Sequence, residues 1–224
     1  MIKSRFILIA LGAMMLQACG GVKVLSSWKA EPPTLAKFKE KEVLVIARTA
    51  DNAARTAFEI EIAEALSAKG ISATESYKKV PRLNPQQEPS EERAQRVLSM
   101  IRSEGFDAIV LTTVKDKQQT VHTSTTGVSV RAYGGYYPGY YGGFNSYYMY
   151  PYAYGPYYGT AGYIPMGTTT SKSTTYVLET VGYNLDEEAE NQLVFVVSTE
   201  LSDPKDAYKT AEEYVKKVTE ALED

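Results

Sequence analysis

Cysteine, histidine and tryptophan are nearly missing from this chain: its 224 residues include one of each. A single cysteine excludes a disulfide within the chain. Together with one histidine it falls short of the three or four ligands that a zinc site draws mainly from those two types. Long apolar runs are absent too. No stretch reaches the roughly 20 residues that a membrane-spanning helix needs. The glycines form no Gly-x-Ser-x-Gly elbow and no Gly-x-x-x-x-Gly-Lys or Gly-x-Gly-x-x-Gly phosphate turn. These absences predict a protein that is not an enzyme and that uses no metal and no cofactor.

What is present is ordinary for a folded domain, with 44% apolar and 23% charged residues. The start is distinctive. Lys3 and Arg5 precede the uncharged apolar run Phe6–Leu16, which is too short to span a bilayer and has the layout of a secretory signal. Leu16-Gln17-Ala18-Cys19 follows and resembles the lipobox of bacterial lipoproteins. That resemblance implies cleavage before Cys19 and a lipid on its sulfur. Residues 1–18 are then a signal peptide and 19–224 one lipid-anchored domain. Losing Lys3 and Arg5 takes the formal net charge from −3 to −5. An acidic balance of this kind argues against nucleic acid as a partner. One acyl chain anchors weakly and two or three anchor firmly, so the membrane is the expected first partner. Gly20 and Gly21 follow the cysteine. The absence of Asp there resembles the default outer-membrane destination of lipoproteins, on the periplasmic face.

The remaining chain reads as alternating strands and helices. Val22–Leu25 reads as a short strand with Trp28 behind it, and Pro32-Pro33 as an extended connector. Val43–Ala47 is a continuous apolar run, the pattern of a strand buried on both faces. Asp51 or Asn52 caps a helix whose apolar face is Phe58, Ile62, Ala65 and Leu66, stopping at Lys69-Gly70. Ile71–Tyr77 reads as a strand and Val80–Pro89 as a proline-broken loop. Ser90 caps a second helix with Glu91 and Glu92 in its first turn, and Ala94, Val97, Leu98 and Ile101 as its buried stripe. Gly105 ends it. Ala108–Leu111 begins a strand that continues in a more polar form toward Val130. Thr175–Leu185 and Leu193–Thr199 are further strands. Asp203-Pro204 starts a last helix with Tyr208, Ala211, Val215, Val218 and Leu222 on one face. The order predicts a single α/β (α+β) domain, three-layer-like, with a mixed sheet and about three helices.

Residues 132–171 carry no charge, and Tyr133–Tyr163 holds 13 of the 18 tyrosines. Glycine and proline interrupt this segment too often for a regular helix or a long central strand. Its flanks, Gln118–Arg131 and Thr168–Tyr176, are rich in Thr, Ser and Val and can pair as the arms of a long β-hairpin. The plain reading of the segment is a flexible low-complexity loop. The functional reading is a contact surface, since tyrosine offers a large ring and a hydroxyl at low entropic cost. Tyr136, Tyr137, Tyr140, Tyr141, Tyr147, Tyr148, Tyr150, Tyr157 and Tyr158 are the candidate partner-binding residues. Envelope proteins, peptidoglycan glycans, another copy of the chain and lipid headgroups all suit such a surface.

The remaining polar residues give no reactive constellation. His122 falls in the polar part of a strand and reads as a solvent-facing residue. Asp186-Glu187-Glu188 with Glu190 lacks the alternating spacing and central glycine of a calcium loop, and reads as a solvated hairpin turn. Glu59, Glu61 and Glu64 lie mainly off the apolar face of their helix. Arg55 and Glu59, four apart, can pair on it.

Ser26-Ser27-Trp28, Val43-Leu44-Val45-Ile46, Ser76-Tyr77 with Pro81, Ala108-Ile109-Val110-Leu111-Thr112 and Asn191-Gln192-Leu193-Val194-Phe195 together resemble a family of uncharacterised bacterial envelope lipoproteins. That family tends to have Trp where Phe195 stands. The resemblance covers most of the chain after Cys19 except the tyrosine-rich segment, and it implies no catalytic residue. In element order alone the domain is similar to the TolB amino-terminal fold, shared by the penicillin-binding-protein activator and curli-secretion lipoproteins. The expected role is a non-enzymatic binding or assembly factor of the envelope. The alternatives are a self-assembling ring or pore of secretion type and, last, an envelope hydrolase.

Overall fold

The computed structural model describes residues 21–80, 90–123, 143–144 and 170–223. The signal segment, Cys19 and the nine candidate tyrosines lie outside the described residues. Six strands form one mixed sheet: β1 (Val22–Lys29), β2 (Val43–Arg48), β3 (Ala73–Glu75), β4 (Ala108–Thr123), β5 (Thr170–Asn184) and β6 (Leu193–Ser202). Their spatial order is β1-β6-β5-β4-β2-β3. β2 runs parallel to both β3 and β4, and the β1, β6, β5 and β4 neighbours are antiparallel. Five helices are bounded by described residues: α1 (Pro32–Lys39), α2 (Asn52–Ala68), α3 (Ser76–Lys79), α4 (Glu91–Ser103) and α5 (Ala207–Glu223). Three of them are long and two are short, in a mixed α/β domain.

All six side chains of β2 are buried, which a strand achieves only when both faces are covered. Leu44 and Ile46 point to one side. There they join Ala94, Val97 and Ile101 of α4 with Ile109, Leu111, Val181 and Val196. Val43, Val45 and Ala47 point to the other side, where α1, α2 and α5 lie. The sheet is therefore the middle of three layers. Asp51 caps α2 by accepting from the backbone N–H groups of Ala53 and Ala54 at 2.8 and 3.1 Å. Ser90 caps α4 through the N–H of Arg93 at 3.3 Å.

Four expectations change. Pro32-Pro33 opens α1 rather than an extended connector. Proline is tolerated in a first helical turn because its missing N–H would have no partner there. Only Ala73–Glu75 of the expected strand Ile71–Tyr77 pairs with β2, and Ser76 turns the chain into α3. The last helix begins at Ala207, not Asp203-Pro204. Asp203 takes a positive φ of 47°, and Asp206 accepts from the N–H of Lys209 at 3.0 Å. Tyr208 is 53% exposed, whereas Tyr214 on the same helix is fully buried.

β4 and β5 form the expected hairpin, paired from Ala108 opposite Asn184 out to Thr123 opposite Thr170. His122 stands opposite Ser171 in this ladder. β6 stops pairing with β5 at Ser202 opposite Thr175, so the outer part of the hairpin runs past the edge of the sheet as two strands. Gly182 lies in β5 against the ring of Phe195, whose nearest atom would meet an added Cβ at 2.4 Å. That close approach lets Phe195 reach Phe38 of α1, with ring centroids 6.0 Å apart and nearly perpendicular.

Candidate functional site

The C-terminal end of β2 and the first turns of α2 and α5 converge on a cleft of about 400 Å³. Its floor is apolar, from Phe58, Val114, Leu178 and Leu201, and its rim includes Arg48, Asp51, Lys205 and Asp206. Open α/β sheets commonly place ligands at the carboxyl ends of their strands. The two aspartates on this rim are already engaged in capping their own helices. A second, apolar groove of about 280 Å³ runs between α1, α2 and α5, lined by Leu35, Ile62, Leu66, Val215 and Leu222.

The domain also holds three buried polar clusters. Glu59 of α2 is fully buried, against the expectation of a wet helix face. Its Oε1 accepts from Ser76 Oγ at 2.7 Å, Arg55 Nε at 2.9 Å and Ala47 N at 3.1 Å. Its Oε2 accepts from Tyr77 N at 2.9 Å. One carboxylate thus joins the end of β2, the body of α2 and the turn into α3. Burying a charge is costly unless hydrogen bonds replace its water, and here four donors do so. Position 59 lies between Phe58 and Ile62, inside the apolar stripe, which was the available signal. Arg55 pairs with it as the spacing predicts, while Glu64 stays exposed.

The second cluster lies on the α4 side of the sheet. A β-bulge between Val114 and Asp116 leaves Lys115 without a residue opposite it in β5. Lys115 Nζ lies 3.2 Å from Glu179 Oε1, and both side chains are almost entirely withdrawn from solvent. Burial pushes the Lys115 ammonium below the usual lysine range, and the Glu179 carboxylate opposes that shift. Glu179 stands opposite Thr113 in β4 and Ser198 in β6, and Thr113 opposite Arg48 in β2. A polar row therefore crosses four strands just beyond the apolar core of that face.

The third cluster is neutral. Tyr214 OH lies 2.6 Å from Thr180 Oγ1, which in turn lies 2.7 Å from Thr112 Oγ1. Burial raises the phenol to about 12, partly opposed by its threonine partners. Sequence spacing did not single out Tyr214 because Tyr208 offered an equally regular helical step.

Gly143 and Phe144 are the two described residues of the tyrosine-rich segment. Phe144 is buried, with its ring against Tyr183 and its N–H donating to Gln192 Oε1 at 3.1 Å. At Phe144 the chain therefore packs on the body of the domain. The expected acidic turn holds two ion pairs to residues far away in the sequence. Lys37 Nζ lies 2.8 Å from Glu187 Oε1, and Lys41 Nζ 2.5 Å from Asp186 Oδ2. Among the described residues, no group of three or more His, Cys, Asp or Glu is placed to hold a metal ion. No described helix is long and apolar enough to cross a membrane.

Fold and clefts together define a three-layer α/β domain with a mixed six-stranded sheet and a long overhanging hairpin. No protein-family model matches the chain, and no curated protein does. Among solved structures the chain is similar to the PelC dodecamer from Paraburkholderia phytofirmans. Identity is 11% over 90% of this chain and 95% of that one, with a TM-score of 0.40. A single-substitution variant of that dodecamer in another crystal form gives 10% identity over 90% and 96%, also at 0.40. A likeness this distant carries no argument for activity or assembly.

Proposed function

We propose that this chain is a lipid-anchored protein of the bacterial envelope, held by Cys19 at the periplasmic face of the outer membrane. It acts as a non-enzymatic binding or assembly factor that uses its tyrosine-rich segment to contact envelope proteins or peptidoglycan. The lipobox-like Leu16-Gln17-Ala18-Cys19 is the observation that carries this reading. The short distance from Cys19 to the folded body supports it. The backbone carbonyl of Gly21 already accepts from Ser202 N at 2.8 Å, so Gly20 is the one residue between the hydrogen-bonded sheet and Cys19.

Two measurements test the proposal. Mass spectrometry of the processed protein should find diacylglycerol on an amino-terminal Cys19; a free thiol there removes the anchor. Serine at the nine candidate tyrosines, with Gly143 and Phe144 kept, should weaken pull-down of envelope proteins or sedimentation with peptidoglycan. Unchanged binding in both assays removes the segment from the contact surface. The overhanging β4–β5 hairpin favours a second reading, in which hairpins of several copies associate. Detergent-extracted protein migrating at the monomer mass excludes that reading.

A further inference from the structure

Two features of the sheet point the same way along its strands. Gly21, the residue nearest Cys19 among those described, lies beside Ser202 at the end where β6 stops. The β4–β5 hairpin runs outward past that same end. Beyond Thr175, which stands opposite Ser202, β5 continues to Thr170 paired only with β4. Five residues at a strand rise of about 3.4 Å make an overhang of roughly 17 Å. The chain between Gly21 and Cys19 spans at most about 7.6 Å, since consecutive Cα atoms lie 3.8 Å apart. A lipid on Cys19 therefore holds this end of the body closer to the bilayer than the hairpin is long. The difference is comparable with the polar headgroup layer, about 5–8 Å on each side of a hydrocarbon core of about 30 Å.

The chemistry of the overhang suits that layer. The overhang, residues 119–123 with 170–174, contains Lys172 and His122 but no Asp or Glu, in a chain whose formal net charge is negative. Lys117 stands at its base, exposed and 5.5 Å over the ring of Tyr176. At the base of the hairpin, Asp116 is engaged by Gln118 Nε2 at 2.6 Å. Asp203, just past the end of β6, accepts from the backbone N–H of Thr174. Asp51 and Asp206 cap their own helices.

We propose that the outer section of the β4–β5 hairpin is a membrane-contact element, docked on anionic phospholipid headgroups of the leaflet that holds the Cys19 lipid. The inference rests on Cys19 carrying that lipid, and it adds an orientation: the hairpin end faces the membrane and the turn at Asp186–Asn191 faces away.

The test uses the full lipidated chain in vesicles of phosphatidylglycerol and phosphatidylethanolamine. Acylation blocks the Cys19 sulfur, so one nitroxide is attached at Gln119→Cys in the overhang or at Glu188→Cys at the opposite end. Both native residues are exposed in the structure. The label at 119 should be several-fold less accessible than the label at 188 to a water-soluble nickel chelate, and more accessible to oxygen. Equal aqueous exposure of both labels on a lipidated, vesicle-bound chain overturns the membrane contact and leaves the anchor standing. An unmodified Cys19 with no vesicle association overturns both. In an unlipidated Cys19→Ala form, Lys117→Glu with Lys172→Glu should weaken binding to the same vesicles by roughly tenfold or more, given about fivefold per lysine near an anionic surface. Unchanged binding there also overturns the contact.

Discussion

The ring of Phe144 stands edge-on to that of Tyr183, with centroids 6.3 Å apart. Tyr183 pairs near the start of β4, opposite Ile109, whereas β4 ends at Thr123. The 14 residues between those rows correspond to roughly 45 Å of strand. The chain thus leaves the sheet at one end and at Phe144 is back against the other. Phe144 should be a fastening point, and Phe144→Ala should destabilise the domain by about 3–5 kcal/mol, as for other buried phenylalanines. Denaturant unfolding measures this. A deletion of Tyr133–Tyr163 removes the same contact, so a loss of function from that deletion would mix stability with binding.

Glu59 should behave as a structural node. Glu59→Ala leaves Arg55, Ser76 and two backbone N–H groups without their acceptor, and should cost about 3–5 kcal/mol. Ser76→Ala removes one donor and should cost about 1–2 kcal/mol. Thermal or urea unfolding of the two variants should keep that order; equal losses would show that the carboxylate is not shared among these partners.

Tyr214 predicts an alkaline signature. Its folded value of about 12 exceeds the ordinary 10.0, so the unfolded chain loses this proton first. The stability tied to the neutral phenol is complete below pH 10 and is lost as pH rises toward 12. Tyr214→Phe cannot titrate. The stability difference between wild type and Tyr214→Phe should therefore shift against wild type by on the order of 1 kcal/mol between pH 9 and pH 11. Paired denaturant curves at the two pH values measure the change, and a difference that stays constant would contradict the burial of this hydroxyl.

Gly182 has no room for a side chain. Gly182→Ala drives a methyl group into the Phe195 ring and should cost about 1–3 kcal/mol by overpacking. Adding Phe195→Leu should recover part of the loss. Simple additivity of the two changes would contradict the direct contact.

Local patterns made much of the fold legible. The unbroken run Val43–Ala47 marked a strand covered on both sides, and Asp51 and Ser90 marked the starts of their helices through short-range capping. The hairpin arms were legible because two flanks rich in Thr, Ser and Val bracket one unusual segment. Interactions across the sheet were not legible. Glu179 meets Lys115 only because a bulge redirects one residue of β4, and no spacing along the chain encodes that pairing. Pro32-Pro33 misled because proline suits both an extended connector and a first helical turn. Glu59 misled because its charge outweighed its position within an apolar stripe. Cys19 and the nine tyrosines lie outside the described residues.

β1 is the first strand of the domain to be synthesised, and it pairs with β6, almost the last. Val22 and Leu201 lie side by side with nearly the whole sequence looped between them. A sheet closed in this way has many contacts of long sequence separation and folds slowly. Until Leu193–Ser202 has emerged, β1 has no partner strand on which to pair. A nascent chain of this topology keeps its first strand unpaired and closes the sheet only when its carboxyl-terminal strand arrives.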